Sequence, residues 1–295
     1  MKFRTDIALE AAGELDDIQK KGINRKVREY EDLTITEIII EDKNISEKLK
    51  KPIGTYVTAE FSSLSKDYKN LDSKIKIISK ELGKLLPKEG LIFVVGLGNS
   101  IITPDALGPK VIESIFSTRH IKDELKKSIK LTKLRPVAAL SPGVLGQTGI
   151  EVKEIISSIC DKIAPKAVII IDALAAKSIE RLGTTIQISD TGISPGSGVD
   201  NKRPEISSKT IGIPVISIGV PTVIDALTIV NELVEGIDDN ENILLKNLSN
   251  NTKNMMVTPR GIDVLIERSA YITAMAINTA LQPFYTLKDL EFLVK

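Results

Sequence analysis

Two aspartates stand where a chain can place catalytic carboxylates. Asp105 lies in Thr103-Pro104-Asp105-Ala106-Leu107-Gly108-Pro109, in what should be the first turn of a helix. Asp172 follows directly on the apolar run Val168-Ile169-Ile170-Ile171. Each alone has an ordinary reading. An Asp in a first helical turn is favoured by the helix dipole, and one after a strand can cap the next helix. Together they are more informative, because both end adjacent strand–helix units and can face one cleft. Two neighbouring carboxylates resist simultaneous ionisation, so one keeps a proton near neutral pH. The ionised partner can activate water while the protonated one polarises a carbonyl. That pairing suits hydrolysis.

Other groups could serve the same cleft. Gly96-Leu97-Gly98-Asn99 follows a buried apolar run and permits a sharp strand-to-helix turn. A dinucleotide fingerprint would need a third glycine two residues on and an acidic end to the next strand. The chain has Ser100-Ile101-Ile102 there, and the next strand ends in Ser141-Pro142. A non-catalytic nucleotide- or metabolite-binding module is the rival reading of this turn. Its backbone N–H groups, at Gly96, Gly98 and Asn99, could instead hold an oxyanion. So could the Gly/Pro/Ser-rich loop 189–204, through Gly196, Ser197 and Gly198, with Asp190 and Arg203 as substrate contacts. The single histidine, His120, and the single cysteine, Cys160, read as surface and core residues. With one His and no Cys cluster, a closed structural zinc site is excluded. No cofactor is expected, and a divalent metal held between Asp105 and Asp172 is the alternative left open.

The elements that must position these groups alternate along the chain. Leu91-Ile92-Phe93-Val94-Val95 is a continuous apolar run, as in strands covered on both faces. A helix over 104–116 should follow, then a strand at 137–140 and a helix near 149–163. Further strands are expected at 168–171, ending at Asp172, at 184–188, more exposed, and at 214–218, with a helix over 221–233. This order predicts an α/β fold: a mainly parallel twisted sheet with helices on both faces. Strand C-termini then gather at one edge, where ligands and chemistry collect. Upstream, 33–41 and 51–61 read as strands of an added N-terminal β-rich portion, and 67–86 as a helix. The first thirty residues are charged and weakly periodic. Residues 235–254 form a polar linker, and Thr258-Pro259 starts a C-terminal helix over about 258–282. The α/β core spans about 88–234.

Composition narrows the partners. The 295 residues are 42% hydrophobic and 27% charged with a net charge of +1, so no global field draws the chain to nucleic acid or an anionic membrane. The chain has no Trp, which argues against a base-stacking surface. The N-terminus is charged and lacks an apolar core, so a signal peptide is not expected. A reducing cytoplasm suits a lone cysteine.

Seven strings in order carry a resemblance: Arg4-Thr5-Asp6-Ile7-Ala8; Val95 to Asn99; Thr103 to Pro109; Ser141-Pro142-Gly143-Val144-Leu145-Gly146-Gln147-Thr148-Gly149; Ile171-Asp172-Ala173-Leu174-Ala175-Ala176; the loop 189–203; and Gly219-Val220-Pro221-Thr222-Val223-Ile224-Asp225-Ala226. With these the sequence resembles the germination proteases of spore-forming Gram-positive bacteria. The resemblance implies a homotetrameric cytoplasmic endopeptidase of the spore core that initiates degradation of small acid-soluble spore proteins, cutting after Glu or Asp. It places the two essential aspartates on Asp105 and Asp172. It also implies a precursor that cuts itself between Asp6 and Ile7, so that residues 1–6 are a pro-segment and 7–295 one peptidase domain. The fold it implies is similar to that of the hydrogenase-maturation peptidases, and a nickel-dependent peptidase of that type is the alternative. Two positions depart from the family pattern: Ser194 stands where a loop His is expected and Asp200 where a Gly is.

Overall fold

The computed structural model describes residues 6–13, 23–66, 69–121, 133–196, 203–234 and 255–294. Nine strands build one sheet: β1 (Ile23–Tyr30), β2 (Leu33–Ile40), β3 (Gly54–Phe61), β4 (Ile92–Gly96), β5 (Val137–Leu140), β6 (Ala167–Ala176), β7 (Thr185–Ser189), β8 (Val215–Asp225) and β9 (Met256–Val257). Their order is β1-β2-β3-β7-β8-β6-β4-β5, with β9 on the end of β8. The expected parallel set is β8, β6, β4 and β5. The N-terminal strands are not an appendage. They extend the same sheet, joined antiparallel through β7. The sheet is therefore mixed, parallel where the two aspartates lie.

The run-on apolar sequence of the central strands follows from cover on both sides. On one face Ile169, Ile171, Ile186, Ile188, Ile216 and Ile218 join a core closed by the helices Leu71–Leu85, Leu107–Glu113 and Ile262–Leu281. On the other, Phe93, Val95, Val168 and Ile170 pack on Ile156 and Cys160 of the helix Val152–Ile163. A third cluster joins that second face to the N-terminus. There Ile7, Ala8, Leu9 and Ala11 lie on Ile38, Ile40, Tyr56 and Ala176.

Several boundaries differ from the sequence reading, each for a physical reason. β6 does not stop before Asp172 but runs on to Ala176, so Asp172 is a mid-strand residue. β8 likewise continues through Pro221 to Asp225, and the helix begins only at Ala226. Pro221 cannot donate to a ladder, and there the β6–β8 register slips between Leu174 and Ala175. Thr185–Ser189 alternates polar and apolar like a half-exposed strand, yet all five residues are buried, with Asp6 and Ala8 bonded to Gln187 at the centre of its polar face. The first thirty residues contain a helix, Ala8–Gly13, and the edge strand β1, whose mostly exposed, charged sequence INRKVREY hides its period. After β4 comes a short 3-10 turn, Thr103–Asp105, and a helix of only seven residues, Leu107–Glu113. The expected linker over 235–254 lies outside the described residues. Among the described residues no helix is long and apolar enough to cross a membrane.

The helix Leu107–Glu113 lies very close to β4 because two glycines face each other. A Cβ on Gly96 would sit 2.2 Å from the carbonyl oxygen of Gly108. Backbone cannot yield as a flexible side chain can. Gly96→Ala should destabilise the protein by roughly 1–3 kcal/mol, the usual cost of overpacking. The urea midpoint should fall at unchanged slope. A variant as stable as the parent would contradict this packing.

Candidate active site

The cleft opens where β4 and β6 part. They pair up to Gly96 and Ile171, and the Leu97 N–H still donates to the Ile171 carbonyl at 2.8 Å. The chain then turns away through Gly98, which has φ +112° and no room for a side chain: a Cβ would lie 2.0 Å from the Asp105 carbonyl oxygen. This turn brings Asp105 back toward the end of β4. Its carboxylate accepts the Asn99 N–H at 2.8 Å, and the neighbouring Pro104 carbonyl accepts the Thr222 hydroxyl at 2.8 Å. Asp105 is thus held from two sides, at the rim of the sheet.

Asp172 continues β6 beyond the parting and is buried. Its register partner on β8 is Gly219, whose partner on β7 is Gln187. Residues in register share a sheet face, so Asp172 and Gln187 flank Gly219, over which Leu174 lays its side chain. Ala173 donates its N–H to Asp172 Oδ1 at 2.9 Å. Burial pushes the Asp172 carboxyl well above the usual carboxylate range, and the nearby charges of Asp105 and Asp6 push the same way, against the Ala173 N–H. Burial also raises Asp105, opposed by its bond from Asn99. The two aspartates thus meet electrically across one cleft of about 1330 Å³, which both line.

N-terminal residues occupy one end of this cleft. The Asp6 N–H donates to the Ala175 carbonyl at 3.3 Å, and the Ala175 N–H donates to Asp6 Oδ2 at 3.0 Å. The carboxamide of Gln187 donates to the Asp6 carbonyl at 3.1 Å and accepts the Ala8 N–H at 2.6 Å. Ile7 is fully buried. Glu10 accepts the N–H groups of Lys177 and Ser178, both at 2.9 Å. Burial pulls the Lys51 ammonium below its ordinary pKa, while the carboxylates of Asp6 and Glu10 hold it up.

The other expected site residues divide. Gly98, Asn99, Gly196 and Arg203 line the cleft with the aspartates. Asn99 spends its backbone N–H on Asp105, and its side-chain oxygen accepts from Gln147 at 2.9 Å, so it braces the turn and its backbone N–H is not available to an oxyanion. Gly96 serves the helix packing described above and is not among the cleft-lining residues. Asp190 points to β3, accepting the Thr55 N–H at 2.8 Å. Arg203 lies 3.7 Å from Glu151. Ser197 and Gly198 lie outside the described residues. His120 is exposed. Cys160 is buried with its thiol pushed up to about 11 by burial, then by Asp161, as befits a core residue. Gln187 and Lys51 escaped the sequence reading. The polar alternation Thr185, Gln187, Ser189 was the available signal, and it reads as a solvent face until the covering segment is known.

Among the described residues no group of three or more His, Cys, Asp and Glu side chains could hold a metal ion. Two carboxylates alone fall short of the three protein ligands of catalytic zinc sites.

A carboxyl raised by folding favours the folded state while protonated. Its contribution is complete below the unfolded value of about 3.9 and is lost as pH rises through the raised native value. Asp172→Asn should therefore be more stable than the parent at neutral pH, with the gap closing as pH falls toward 4. Urea midpoints across this range check it; a gap that stays constant, or opens in acid, would contradict the burial of an ionisable group here.

Comparison with known proteins identifies the family. A profile of the family described as germination protease matches residues 5–239. The germination protease of Caldanaerobacter subterraneus subsp. tengcongensis is 40% identical over 318 aligned positions, covering 99% of this chain and 98% of the relative. That of Clostridium tetani is 40% identical, with 99% of each chain covered. That of Bacillus cytotoxicus is 46% identical over 79% of this chain and 66% of its own. Among solved structures, the [NiFe] hydrogenase maturation protease HycI from Thermococcus kodakarensis has a TM-score of 0.37 at 17% identity, covering 67% of this chain and 98% of its own. Extending from the N-terminal segment through the cleft to β8, the family match takes in both aspartates and the turn that joins them, and this chain belongs to the germination protease family, a family of peptidases.

Proposed function

We propose that this chain is an aspartate-dyad endopeptidase made as a precursor, and that its first substrate is its own Asp6–Ile7 bond. What supports the reading is one juxtaposition: Asp6, which precedes that bond, lines the cleft with both aspartates, and Asp172 feels the charges of both Asp105 and Asp6.

The steps follow from the two environments. Asp172, the more strongly raised group, keeps the shared proton. Asp105, whose charged form is favoured by the Asn99 N–H, acts as base. A water gives one proton to Asp105 as its oxygen bonds to the Asp6 carbonyl carbon. The carbonyl π pair moves onto oxygen, which takes the proton of Asp172. On collapse the C–N bond breaks, Asp105 passes its proton to the Ile7 nitrogen, and the new carboxyl group returns a proton to Asp172. No step is routed through a metal: among the described residues no group of three or more His, Cys, Asp and Glu side chains could hold one.

Substrates in trans extend the same logic. A chain with an acidic residue before the cut bond and another four residues after it would find the donors that now hold Asp6 and Glu10: the N–H groups of Ala175, Lys177 and Ser178. Small acid-soluble spore proteins cut after Glu or Asp, during germination and in the cytoplasm of the spore core, fit this reading, as does a homotetrameric enzyme.

Mass spectrometry of the purified chain after mild acid incubation should reveal a new Ile7 N-terminus. Asp105→Asn and Asp172→Asn should each slow its formation by roughly 10²–10⁴-fold, the range for loss of a general acid or base, and a chelator should leave the rate unchanged. Processing at the parental rate in both variants would end the dyad reading; loss of processing on chelation would replace it with a metal-assisted one.

A further inference from the structure

We propose that Gln187 is the donor that polarises the carbonyl of the bond to be cut. This deepens the self-processing reading and rests on it. The observation is a clamp. One side-chain carboxamide grips both sides of the Asp6–Ile7 linkage, donating from Nε2 to the Asp6 carbonyl oxygen at 3.1 Å and accepting at Oε1 from the Ala8 N–H at 2.6 Å.

The orientation of that amide is not arbitrary. The Ala8 N–H can only donate and the Asp6 carbonyl can only accept, so the amide oxygen must face Ala8 and the NH₂ must face Asp6. The group that meets the carbonyl is therefore a donor, as an oxyanion needs.

The sheet sets this donor on the same face as Asp172. Gln187, Gly219 and Asp172 form one row across β7, β8 and β6. Strands lie roughly 4.8 Å apart, so the outer two residues stand roughly 9–10 Å apart at the backbone, and the Leu174 side chain lies over Gly219 between them. The Asn99 N–H, expected to serve as an oxyanion donor, is already committed to Asp105. Gln187 is buried and lines the cleft. When residues 1–6 leave, the Asp6 carbonyl leaves with them, and Nε2 is freed for the carbonyl of an incoming chain.

In the step written above, the π pair that moves onto the Asp6 carbonyl oxygen is stabilised by the Nε2–H of Gln187 while Asp172 delivers its proton. The amide itself gains and loses no proton.

The rival role is anchoring: Gln187 caps the first N–H of the helix Ala8–Gly13 and does nothing else. The full-length chain separates the two. Release of residues 1–6 is timed by mass spectrometry, and docking is read from hydrogen-exchange protection of the Ala8 amide, in the parent, Gln187→Glu, Gln187→Met and Asp172→Asn. Glu keeps the acceptor for Ala8 but presents no amide donor to the carbonyl, so it should keep the protection and lose roughly 10²–10³-fold in rate, the loss typical of one missing oxyanion donor. Met should lose both. Release by Gln187→Glu within a few-fold of the parent overturns the proposal, and so does a rate that falls only in step with lost Ala8 protection. Parental release by Asp172→Asn would instead sink the dyad while leaving the Gln187 result to stand on its own. No Ile7 terminus in the parent would sink both.

Discussion

The carboxyl group of Asp172 sits inside a strand, out of water, facing two other carboxylates. A charge is costly in such a place unless something pairs it, and what pairs it here is a single N–H from the next residue. Retaining a proton is the inexpensive solution. The remaining features of the site adapt to that constraint. β4 stops short, so that β6 has a free flank beside Asp172. Gly98 allows the backbone to fold back tightly enough to bring Asp105 near. Asn99 then stabilises the Asp105 charge that its neighbour's proton makes tolerable.

The same flank of β6 receives the N-terminal segment. Parallel strands leave alternate N–H and C=O groups pointing out of an open edge, and Asp6 takes both groups of Ala175. The hydrophobic contribution comes from the residues after it. Ile7, Ala8, Leu9 and Ala11 cover Ile38, Ile40 and Tyr56, and a large apolar side chain so buried contributes about 1.5–3 kcal/mol. This is why the antiparallel strands β1–β3 belong to the same sheet as the site. They supply the floor on which the segment rests. A tethered segment also enjoys a high effective concentration, so a chain arriving from solution competes with it at a disadvantage.

Much of this was legible before any coordinates. Unbroken apolar runs at 91–95 and 168–171 announced strands covered on both faces, and the glycine turn and the two aspartates at their ends announced a crevice. What escaped has a common cause: the deciding contacts are far apart in sequence. Asp172 looked like a strand end because Ala173 to Ala176 has weak strand character, and it stays extended only because β8 continues beside it. Gln187 looked solvent-facing because nothing in TIQIS reveals that residues some 180 positions earlier lie over it. Gly96 and Asn99 looked like oxyanion groups because a glycine turn has the same spelling whether it opens to a ligand or, as here, packs a helix against Gly96 and gives the Asn99 N–H to a carboxylate.

The account depends on burial, reinforced by the charge of Asp105, keeping Asp172 protonated. Carbon-13 NMR of the aspartate carboxyl groups, followed from pH 3 to 9, measures this directly. The Asp172 signal should titrate well above the range of ordinary carboxylates and move down when Asp105 is replaced by Asn. An Asp172 that ionises near 4, or that titrates identically with and without Asp105, would contradict it.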